Sequence, residues 1–515
     1  MLWIALYLPE LPLQIAERAQ LADSRHFAPL VISTGADNRP VVYAANRAAL
    51  ELGIQIGMTI ASSRALINDL HIEPRQLDNE ISTVHNFASW ACQFTPSISI
   101  QAHEGILMEI SATLMMHDGL SVLLGKLRRG SHELGYHVSC GVAPTPQAAW
   151  LFSKARHYGY PVRACVALTD IEARLTDLPL ALLDWPHEVL SKLSGLGIVR
   201  VGDCLRLPSE GFAKRFGPER WADLQRIIGR LPDPRAYFVM PETYSARTEF
   251  GFEVNDAMAL LFPLKRLLTE MEGFLRARGA GVQSFRLVLT LSHKVPVTIV
   301  VGLAQPERNA ERLLSLARER LSQAQLPSTV IAMAVEVERL LPFIEASKSW
   351  LPDSQVQSDG WIQLIDKLTA RLGNDRVYRL RTVEDHRPEQ SWQSSNAMDA
   401  QASIKTGARK HATKSQSKIH ATHKAAATAN GAGLNRPRPL FLLPIPRKLM
   451  LDGGVPLCHG RIDIIAGPER IETGWWDGQP ALRDYYVGRN PHNETMWLYR
   501  NLHDLDSWHL HGYFA

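Results

Sequence analysis

The sequence has 515 residues, of which 45% are hydrophobic and 21% are charged, and its formal net charge is +4. This length predicts two to four domains, and the composition is typical of a globular protein rather than of a disordered or fibrous chain. Because no run of about 18 apolar residues occurs, no membrane-spanning helix is expected. The five cysteines stand singly without a CxxC pair, so we expect a reducing, cytoplasmic environment and no structural zinc site.

The first third of the chain predicts a βαββαβ layout. Residues 2–8 form an apolar run of strand length, and helical spacing follows from Leu11 to Leu21. Alternating residues between Ser97 and Ser111 predict a hairpin that turns near residues 103–105. A helix over Leu120–Leu134 and the strand-like segment HVSCGVAP complete the layout. An alanine-rich piece containing ANRAALELGIQIGM is inserted after the first helix.

The same layout is predicted again after a helical region. The segment LSKLSGLGIVRVGDCLRLP indicates two helices joined by a short turn at residues 195–197. Downstream, the segments EFGFEV, LKRLLTEMEGFLRARG, SFRLVLTLS, VPVTIVVG, ERNAERLLSLARERL and VIAMAVEV predict a second βαββαβ. Residues 401–448 contain ten Lys or Arg and no Asp or Glu, which indicates a disordered basic tether. The aromatic residues after Phe441 predict a small antiparallel β module.

This order of parts resembles the Y-family DNA polymerases, which copy damaged templates. The segments PVVYAANRAALELGIQIGM, ILMEIS and GVAPTPQAAWLFSKA carry the resemblance to the family, whereas EDHRPEQSW and PERIETGWWDG resemble its polymerase-like accessory branch in bacterial mutagenesis cassettes. The resemblance implies an α+β multidomain right hand. Its parts are a βαββαβ palm with inserted fingers, a helix-hairpin-helix thumb, a βαββαβ little finger and a tethered small β-rich C-terminal module. The expected boundaries are palm 1–30 and 81–170, fingers 31–80, thumb 171–240, little finger 241–345, connector 346–389, disordered basic linker 390–439 and C-terminal β module 440–515.

The resemblance also implies where metal ligands and nucleotide contacts would lie. Nucleotidyl transfer in the family needs two divalent cations held mainly by carboxylates. The ligand positions correspond here to Tyr7, Pro9, Glu104 and Gly105. The altered nucleotide-binding positions are Arg47, Leu50 and Trp150. We therefore expect no metal, no cofactor and no polymerase activity.

One alternative is a divergent but active translesion polymerase that uses displaced carboxylates. The candidates for such a shifted metal site are Glu10, Glu104 and Glu109. Isolated glutamates are more commonly solvated surface residues, and Glu109 is expected to face solvent along its strand. A further interpretation is a DNA-binding repair factor without a replication partner.

DNA binding depends on other residues than catalysis does. The turn at residues 195–197 would direct backbone N–H groups of a helix N-terminus at a phosphate, without reading sequence. The expected DNA-binding residues are Lys192, Gly195, Gly197, Arg200, Lys214, Arg215 and Arg286. A glycine turn often only connects helices, and charged helical residues often form a solvated face.

The resemblance implies a non-catalytic adaptor for translesion synthesis and damage-induced mutagenesis. Its implied partners are primer-template DNA, the sliding clamp, the RecA-like accessory protein ImuA and an error-prone C-family DNA polymerase. Trp350 and Leu351 are candidate clamp-binding residues in a degenerate motif, or else an exposed linker anchor. Aromatic residues near the C-terminus form either a partner-binding surface or the core of their module, and these are Trp475, Trp476, Tyr485, Tyr486, Trp497 and Trp508.

Overall fold

The computed structural model describes residues 1–19, 28–35, 39–101, 104–293, 295–343, 354–373, 376–396 and 438–514. The chain divides into two compact units, unit 1 (Met1–Gly373) and unit 2 (Asn374–Ala515). Across the described ranges, no helix is both long and apolar enough to cross a membrane.

Unit 1 begins with the predicted βαββαβ domain and its insertion. The elements are β1 Trp3–Tyr7, α1 Leu11–Ala19, β2 Leu30–Thr34, β3 Val41–Ala45, α2 Arg47–Glu51, α3 Ile60–Leu66, β4 His71–Pro74, α4 Leu77–Ala91, β5 Ile98–Gln101, β6 Gly105–Glu109, α5 Leu120–Glu133, β7 Ser139–Ala143 and α6 Pro146–His157. The strands β5, β6, β1 and β7 form an antiparallel sheet in that order. The inserted piece is a separate sheet in which β2 pairs antiparallel with β3 and parallel with β4. The predicted hairpin and the βαββαβ element order are confirmed.

The central strand β1 is buried on both faces, because all five of its residues are apolar or aromatic and β6 and β7 flank it. Successive side chains of a strand point to opposite faces. Trp3, Ala5 and Tyr7 pack with residues of α6 and of the helices that follow it. Ile4 and Leu6 pack with residues of α4 and α5. The sheet therefore separates two hydrophobic cores, and the C-terminal end of β1 lies between them.

A helical region and the second βαββαβ domain complete unit 1. The elements are α7 Ile171–Leu175, α8 His187–Gly195, α9 Val201–Leu205, α10 Ser209–Phe216, α11 Pro218–Ile227, β8 Tyr244–Val254, α12 Leu261–Arg278, β9 Ala280–Leu291, β10 Val297–Glu307, α13 Ala310–Leu321, β11 Val330–Val337, β12 Leu341–Pro342 and α14 Ser354–Leu372. The second element order is confirmed, but the main sheet runs β10-β9-β11-β8. The two domains therefore share an element order and differ in strand order.

The two βαββαβ domains pack directly on each other through α4 and α12. The Trp90 ring on α4 lies so close to two glycines that an added Cβ would approach it to 2.4 Å at Gly130 and 2.2 Å at Gly273. Beside this contact, a buried ion pair joins Arg18 on α1 to Glu270 on α12, with 3.0 Å between Nη2 and Oε2. Close packing and a buried ion pair together fix the second domain against the first.

Unit 2 is the predicted small antiparallel β module with two added two-stranded ribbons. The strands are β13 Tyr378–Thr382, β14 Trp392–Asn396, β15 Phe441–Lys448, β16 Met450–Asp452, β17 Val455–Leu457, β18 Asp463–Thr473, β19 Ala481–Arg489, β20 Thr495–Asn501 and β21 Asp504–Tyr513. Five of them form an antiparallel sheet in the order β15-β21-β20-β19-β18, and the two ribbons are β13–β14 and β16–β17. Residues 392–396, which composition places in the basic linker, form β14 because their backbone pairs with β13. Residues 397–437 of the predicted linker lie outside the described residues.

Candidate functional site

The positions that correspond to metal ligands meet at one end of the first sheet. Tyr7, the last residue of β1, pairs with Gly105, the first residue of β6. The Leu8 N–H then donates to the Glu104 carbonyl at 2.7 Å. Pro9 follows, and its carbonyl accepts a hydrogen bond of 2.6 Å from Gln14 Nε2. Register and turn thus bring Tyr7, Glu104 and Gly105 together.

Aromatic side chains fill this end of the sheet. The rings of Tyr7 and Trp150 pack edge to face with centroids 5.3 Å apart, and Trp150 Nε1 donates to Asp184 Oδ2 at 3.3 Å. A Cβ at Gly105 would lie 2.1 Å from the Leu6 carbonyl oxygen and 3.1 Å from the Trp150 ring. Burial raises the pKa of the Tyr7 hydroxyl far above its ordinary value, with a further contribution from Glu104. This end of the sheet therefore holds a neutral phenol and a glycine that has no room for a side chain.

Glu104 is the one carboxylate at the four positions. Its exposed side chain lies at a cavity of about 100 Å³ that Tyr7, Glu10 and Glu80 also line. The surrounding protein raises the pKa of Glu104 by partial desolvation, and the nearby Lys154 acts in the opposite direction. Glu80 is held by Arg75 through two hydrogen bonds of 2.7 and 2.8 Å. One of the neighbouring carboxylates is thus already neutralised by an arginine.

The alternative metal set of Glu10, Glu104 and Glu109 does not come together. Glu104 precedes β6 and Glu109 ends it, so about 17 Å of extended chain separates them. The Glu109 carboxylate instead accepts a 3.0 Å hydrogen bond from the Ser111 N–H. Within the described parts of the chain, no three His, Cys, Asp or Glu side chains form a group that could hold a metal ion. These three glutamates therefore cannot share one cation.

The two candidate nucleotide-binding positions of the insertion lie on the short helix α2. Arg47 and Leu50 are both exposed. Arg47 Nε forms an ion pair of 2.7 Å with Glu51 Oε1 one turn later on the same helix. The third position, Trp150, belongs to the aromatic packing around Tyr7 and lies away from solvent.

The glycine turn between α8 and α9 lies where the sequence predicts it. Its backbone donors, however, are used by the protein: the N–H groups of Gly197 and Ile198 donate to Ser194 and Leu193 carbonyls at 2.9 and 3.0 Å. Gly197 has φ +76°, the left-handed conformation that commonly ends a helix at a glycine. At the start of α9, the Val201 N–H donates to the Leu178 carbonyl at 2.9 Å. The turn is thus a helix cap with few free N–H groups, and a phosphate here would need basic side chains.

The predicted basic side chains differ in how far their charges are already paired. Lys192, Lys214 and Arg215 are exposed and form no ion pair with any described residue. Arg200 pairs with Asp177 at 2.8 Å. Arg286 lies on β9 and pairs with Glu336 at 2.9 Å and Glu338 at 2.6 Å. The unpaired positive charge among these candidates therefore lies on α8 and α10, rather than on the second sheet.

The C-terminal aromatic residues divide into core and surface. Tyr485 and Trp497 stack at 4.0 Å inside the module, Trp508 is also buried, and Tyr486 is partly buried. Trp475 and Trp476 are 80% and 58% exposed. They lie in the segment 474–478 between β18 and β19, called here the tryptophan loop.

Arg387 holds the tryptophan loop to the β13–β14 connection. Its guanidinium donates to Asp385 Oδ2 at 2.8 Å, Asp477 Oδ2 at 2.5 Å and the Gln479 carbonyl at 3.1 Å. Gly474 has φ +80°, and a Cβ there would lie 2.4 Å from the Gln479 carbonyl oxygen and 2.8 Å from Arg387 Nη1. Sequence reasoning missed Arg387 as an anchor. The available signal was an aspartate in each of the segments EDHR and WWDG, two carboxylates that one guanidinium can bind.

The candidate clamp-binding residues Trp350 and Leu351 lie outside the described residues.

Comparison with known proteins bears on both units. Residues 15–154 match the sequence profile described as the impB/mucB/samB family. Protein ImuB of Caulobacter vibrioides (strain NA1000 / CB15N) is 25% identical over 501 residues, which cover 90% of this chain and 100% of that protein. DNA polymerase IV of Dehalococcoides mccartyi (strain CBDB1) is 23% identical over 366 residues, which cover 70% of this chain and 90% of that protein.

Among solved structures, the insertion ternary complex of Dbh DNA polymerase matches with a TM-score of 0.39 and 14% identity. The match covers 66% of this chain and 99% of that one. DinB from Sulfolobus solfataricus matches with a TM-score of 0.36 and 14% identity, over 66% of this chain and 98% of that one. The similarity to Protein ImuB covers 90% of this chain, whereas the similarity to DNA polymerase IV covers 70%. The chain is thus similar to Protein ImuB over 90% of its length, and its residues 15–154 match the impB/mucB/samB family model.

Proposed function

We propose that the chain is a non-catalytic, Y-family-polymerase-like adaptor in translesion synthesis. It binds primer-template DNA and the sliding clamp and, together with an ImuA-type accessory protein, recruits an error-prone C-family polymerase that carries out the synthesis. The observation that carries the non-catalytic part is the packing of Tyr7, Gly105 and Trp150 at the end of β1.

Chemistry explains why this packing argues against catalysis. Two-metal phosphoryl transfer needs two cations about 3.5–4 Å apart, and hard cations of the magnesium type need oxygen ligands. A buried neutral phenol, a proline and a glycine offer no anionic side-chain oxygen. Glu104 alone, with its pKa raised by partial desolvation, leaves a single carboxylate for two cations.

Primer extension by the purified chain tests this proposal against the divergent-polymerase alternative. We expect no nucleotide incorporation with magnesium or manganese, either by the unaltered chain or by a Glu104→Ala variant. Incorporation by the unaltered chain that disappears in Glu104→Ala would establish the divergent polymerase and refute the adaptor.

The proposed DNA contact uses the exposed, unpaired basic residues of the helical region. Each phosphate neutralised on duplex DNA contributes about 0.9 to the slope of log K against log salt. Replacing Lys214 and Arg215 with alanine should therefore lower the slope by about 1.8. Arg286→Ala is the matched control and should change the slope little, because Glu336 and Glu338 already neutralise this guanidinium. If Arg286→Ala lowered the salt slope as much as the double variant does, the second sheet would have to contact DNA as well.

Partner recruitment is assigned to unit 2. Exposed tryptophans on a held loop are typical of protein-binding hot spots, and the Arg387 anchor fixes the tryptophan loop before a partner arrives. Fixing the loop in advance reduces the entropy lost on binding. Co-precipitation of the clamp, ImuA and the C-family polymerase with full-length chain and with a chain lacking residues 374–515 tests this assignment. Unchanged recovery of all partners by the truncated chain would favour a repair factor without replication partners.

A further inference from the structure

The β13–β14 ribbon is the least covered element of unit 2. Within the described residues, its two strands pair only with each other, and every residue of β13 is exposed. The register places Leu380 opposite Ser394 and Thr382 opposite Trp392. A two-stranded hairpin is only marginally stable by itself in water. Both faces of the ribbon are therefore available to a binding partner.

One face of the ribbon is aromatic and apolar. Alternate residues of a strand and their cross-strand partners share a face, so Tyr378, Leu380 and Trp392 lie on the same side. Tyr378 is 65% exposed and Trp392 is 50% exposed. Flat rings presented to solvent on a sheet surface are platforms on which nucleic-acid bases stack.

The opposite face is positively charged. Arg379 and Arg381 lie on it, Arg376 precedes it, and neither strand contains an acidic residue. None of these three arginines forms an ion pair with a described residue. Elsewhere in unit 2, Arg438, Arg470 and Arg483 are each paired with a carboxylate. The ribbon therefore gathers positive charge that the rest of its unit does not neutralise.

The connecting end of the ribbon is fixed. The Val383 N–H donates to the Ser391 carbonyl at 2.8 Å, which closes the ribbon at that end. Four residues on, Arg387 binds Asp385, Asp477 and the Gln479 carbonyl and so holds the connection to the module. A ribbon held at its base presents both of its faces without first having to fold.

We propose that the β13–β14 ribbon is a binding site for single-stranded nucleic acid. Bases stack on Tyr378 and Trp392, and phosphates contact Arg379 and Arg381. Paired strands lie about 4.8 Å apart, so the ribbon is narrow. Where the nucleic-acid backbone crosses the ribbon edge, the long side chains of Arg379 and Arg381 can therefore reach its phosphates from the opposite face. Unneutralised arginines beside exposed aromatics fit a polyanion with flat bases better than they fit an apolar protein surface. Stacking is tolerant of sequence, so the site binds without base preference.

The test is fluorescence anisotropy of a 5′-labelled 20-mer of deoxythymidine with the full chain over a series of salt concentrations. All variants also carry Lys214→Ala and Arg215→Ala, so that the proposed duplex contact does not contribute. Tyr378→Ala/Trp392→Ala should weaken binding about tenfold without changing the salt slope, because stacking is not an ionic contact. Arg379→Ala/Arg381→Ala should lower the slope by about 1.4, since each phosphate contact on a single strand contributes about 0.7.

Arg489→Ala and Met450→Ala are the matched controls. Both residues are exposed in the same unit, and Arg489 ends β19 at the opposite end from the Arg387 anchor. Each control should bind the oligonucleotide as tightly as the parent chain, which carries only Lys214→Ala and Arg215→Ala. Parent-like binding by both ribbon variants would overturn the proposal, and so would an equal loss in the controls. Loss of a co-precipitated protein partner with unchanged oligonucleotide binding would also overturn it and make the ribbon a protein contact. None of these outcomes depends on whether the chain extends primers.

Discussion

The end of β1 in unit 1 and the tryptophan loop in unit 2 distribute aromatic and charged side chains in opposite ways. At the end of β1, Tyr7 and Trp150 are inside and Glu104 is exposed. In the tryptophan loop, Trp475 and Trp476 are exposed, and the carboxylate of Asp477 binds the enclosed guanidinium of Arg387. The aromatic side chains at the end of β1 therefore have a structural role. In the tryptophan loop the charged side chains have that role, and they hold the exposed tryptophans in place.

The contact between the two βαββαβ domains is also held by buried charged side chains. Arg18 also donates to the Tyr136 hydroxyl, and Tyr244 donates to Glu270 Oε1 at 3.1 Å. This network joins residues of α1, α12 and β8 with Tyr136, which lies between α5 and β7, and all of them are buried. If buried groups are structural in both units, then removing them costs stability, whereas removing exposed ones costs only binding.

The largest loss of stability is expected from Glu270→Ala. The side chain of Glu270 is 1% exposed, and without it the Arg18 guanidinium is left buried and unpaired, which costs about 3–5 kcal/mol. Urea unfolding followed by circular dichroism at 222 nm reports on unit 1, because all α-helices of the described chain lie there. Glu51→Ala also removes the glutamate of an Arg–Glu pair, but an exposed one, and should leave the midpoint unchanged. Equal shifts would show that burial of the pair does not matter.

The next effect is expected from Gly105→Ala. The new Cβ would lie 2.1 Å from the Leu6 carbonyl oxygen, so β1 or β6 must shift, at a cost of about 1–3 kcal/mol. Gly125→Ala on α5 is the matched control, since no atom of the described residues lies within 4 Å of its added Cβ. Alanine is favoured over glycine in a helix, so this variant should gain up to about 1 kcal/mol. Urea unfolding of both variants gives the comparison. A neutral Gly105→Ala would mean that the strand end can accept a side chain, which would weaken the case for a closed site.

A pH effect is expected in unit 2, where His511 is buried and stacks on Trp497. Burial lowers the pKa of His511, with Glu389 acting against this shift and Arg483 reinforcing it. Because the folded-state pKa lies below the unfolded one, the unfolded chain takes up the proton first as the pH falls. Stability of unit 2 should therefore decrease as the pH drops below about 6.5.

Hydrogen exchange of β20 and β21 peptides, corrected for intrinsic exchange rates, measures this pH effect. His511→Gln should flatten the dependence, and His509, whose pKa burial also lowers, should account for what remains. An unchanged pH profile in His511→Gln would assign the effect to other groups.

Local sequence patterns predicted much of the fold. Both βαββαβ element orders, the hairpin at residues 97–111 and the helix break at residues 195–197 follow from periodicity and turn residues, which act over a few positions. The strand order of the second sheet did not follow, since pairing of β11 between β9 and β8 joins distant segments. Strand register could not be predicted for the same reason. Arg286 lies beside Glu336, 50 residues away, only because β9 pairs with β11.

The candidate sites were predictable only in part. Residue types at the β1–β6 end were read from the sequence, but the lack of room at Gly105 depends on the Leu6 carbonyl and the Trp150 ring. The thumb-like turn was located, yet its N–H groups donate to nearby carbonyls, which a glycine spacing does not reveal. The Arg387 anchor joins residues 90 positions apart, and no periodic signal links them.

The smallest change in stability is expected from Trp475→Ala/Trp476→Ala. This variant tests most directly whether the tryptophan loop exposes its aromatic residues for binding, in contrast to the buried aromatic residues at the end of β1. Both side chains are exposed, so the double variant should unfold within about 0.5 kcal/mol of the parent chain. Tyr485→Ala removes an aromatic that stacks at 4.0 Å on Trp497 in the core and should cost about 3–5 kcal/mol.

Thermal unfolding and co-precipitation of partner proteins are measured on the same preparations. The double variant should retain its fold and lose partner recovery several-fold, because exposed tryptophans typically dominate binding energy where they are hot spots. A double variant that unfolds as readily as Tyr485→Ala would place the tryptophan loop among the structural elements. The two regions would then differ in exposure alone, and the case for recruitment through this loop would fall.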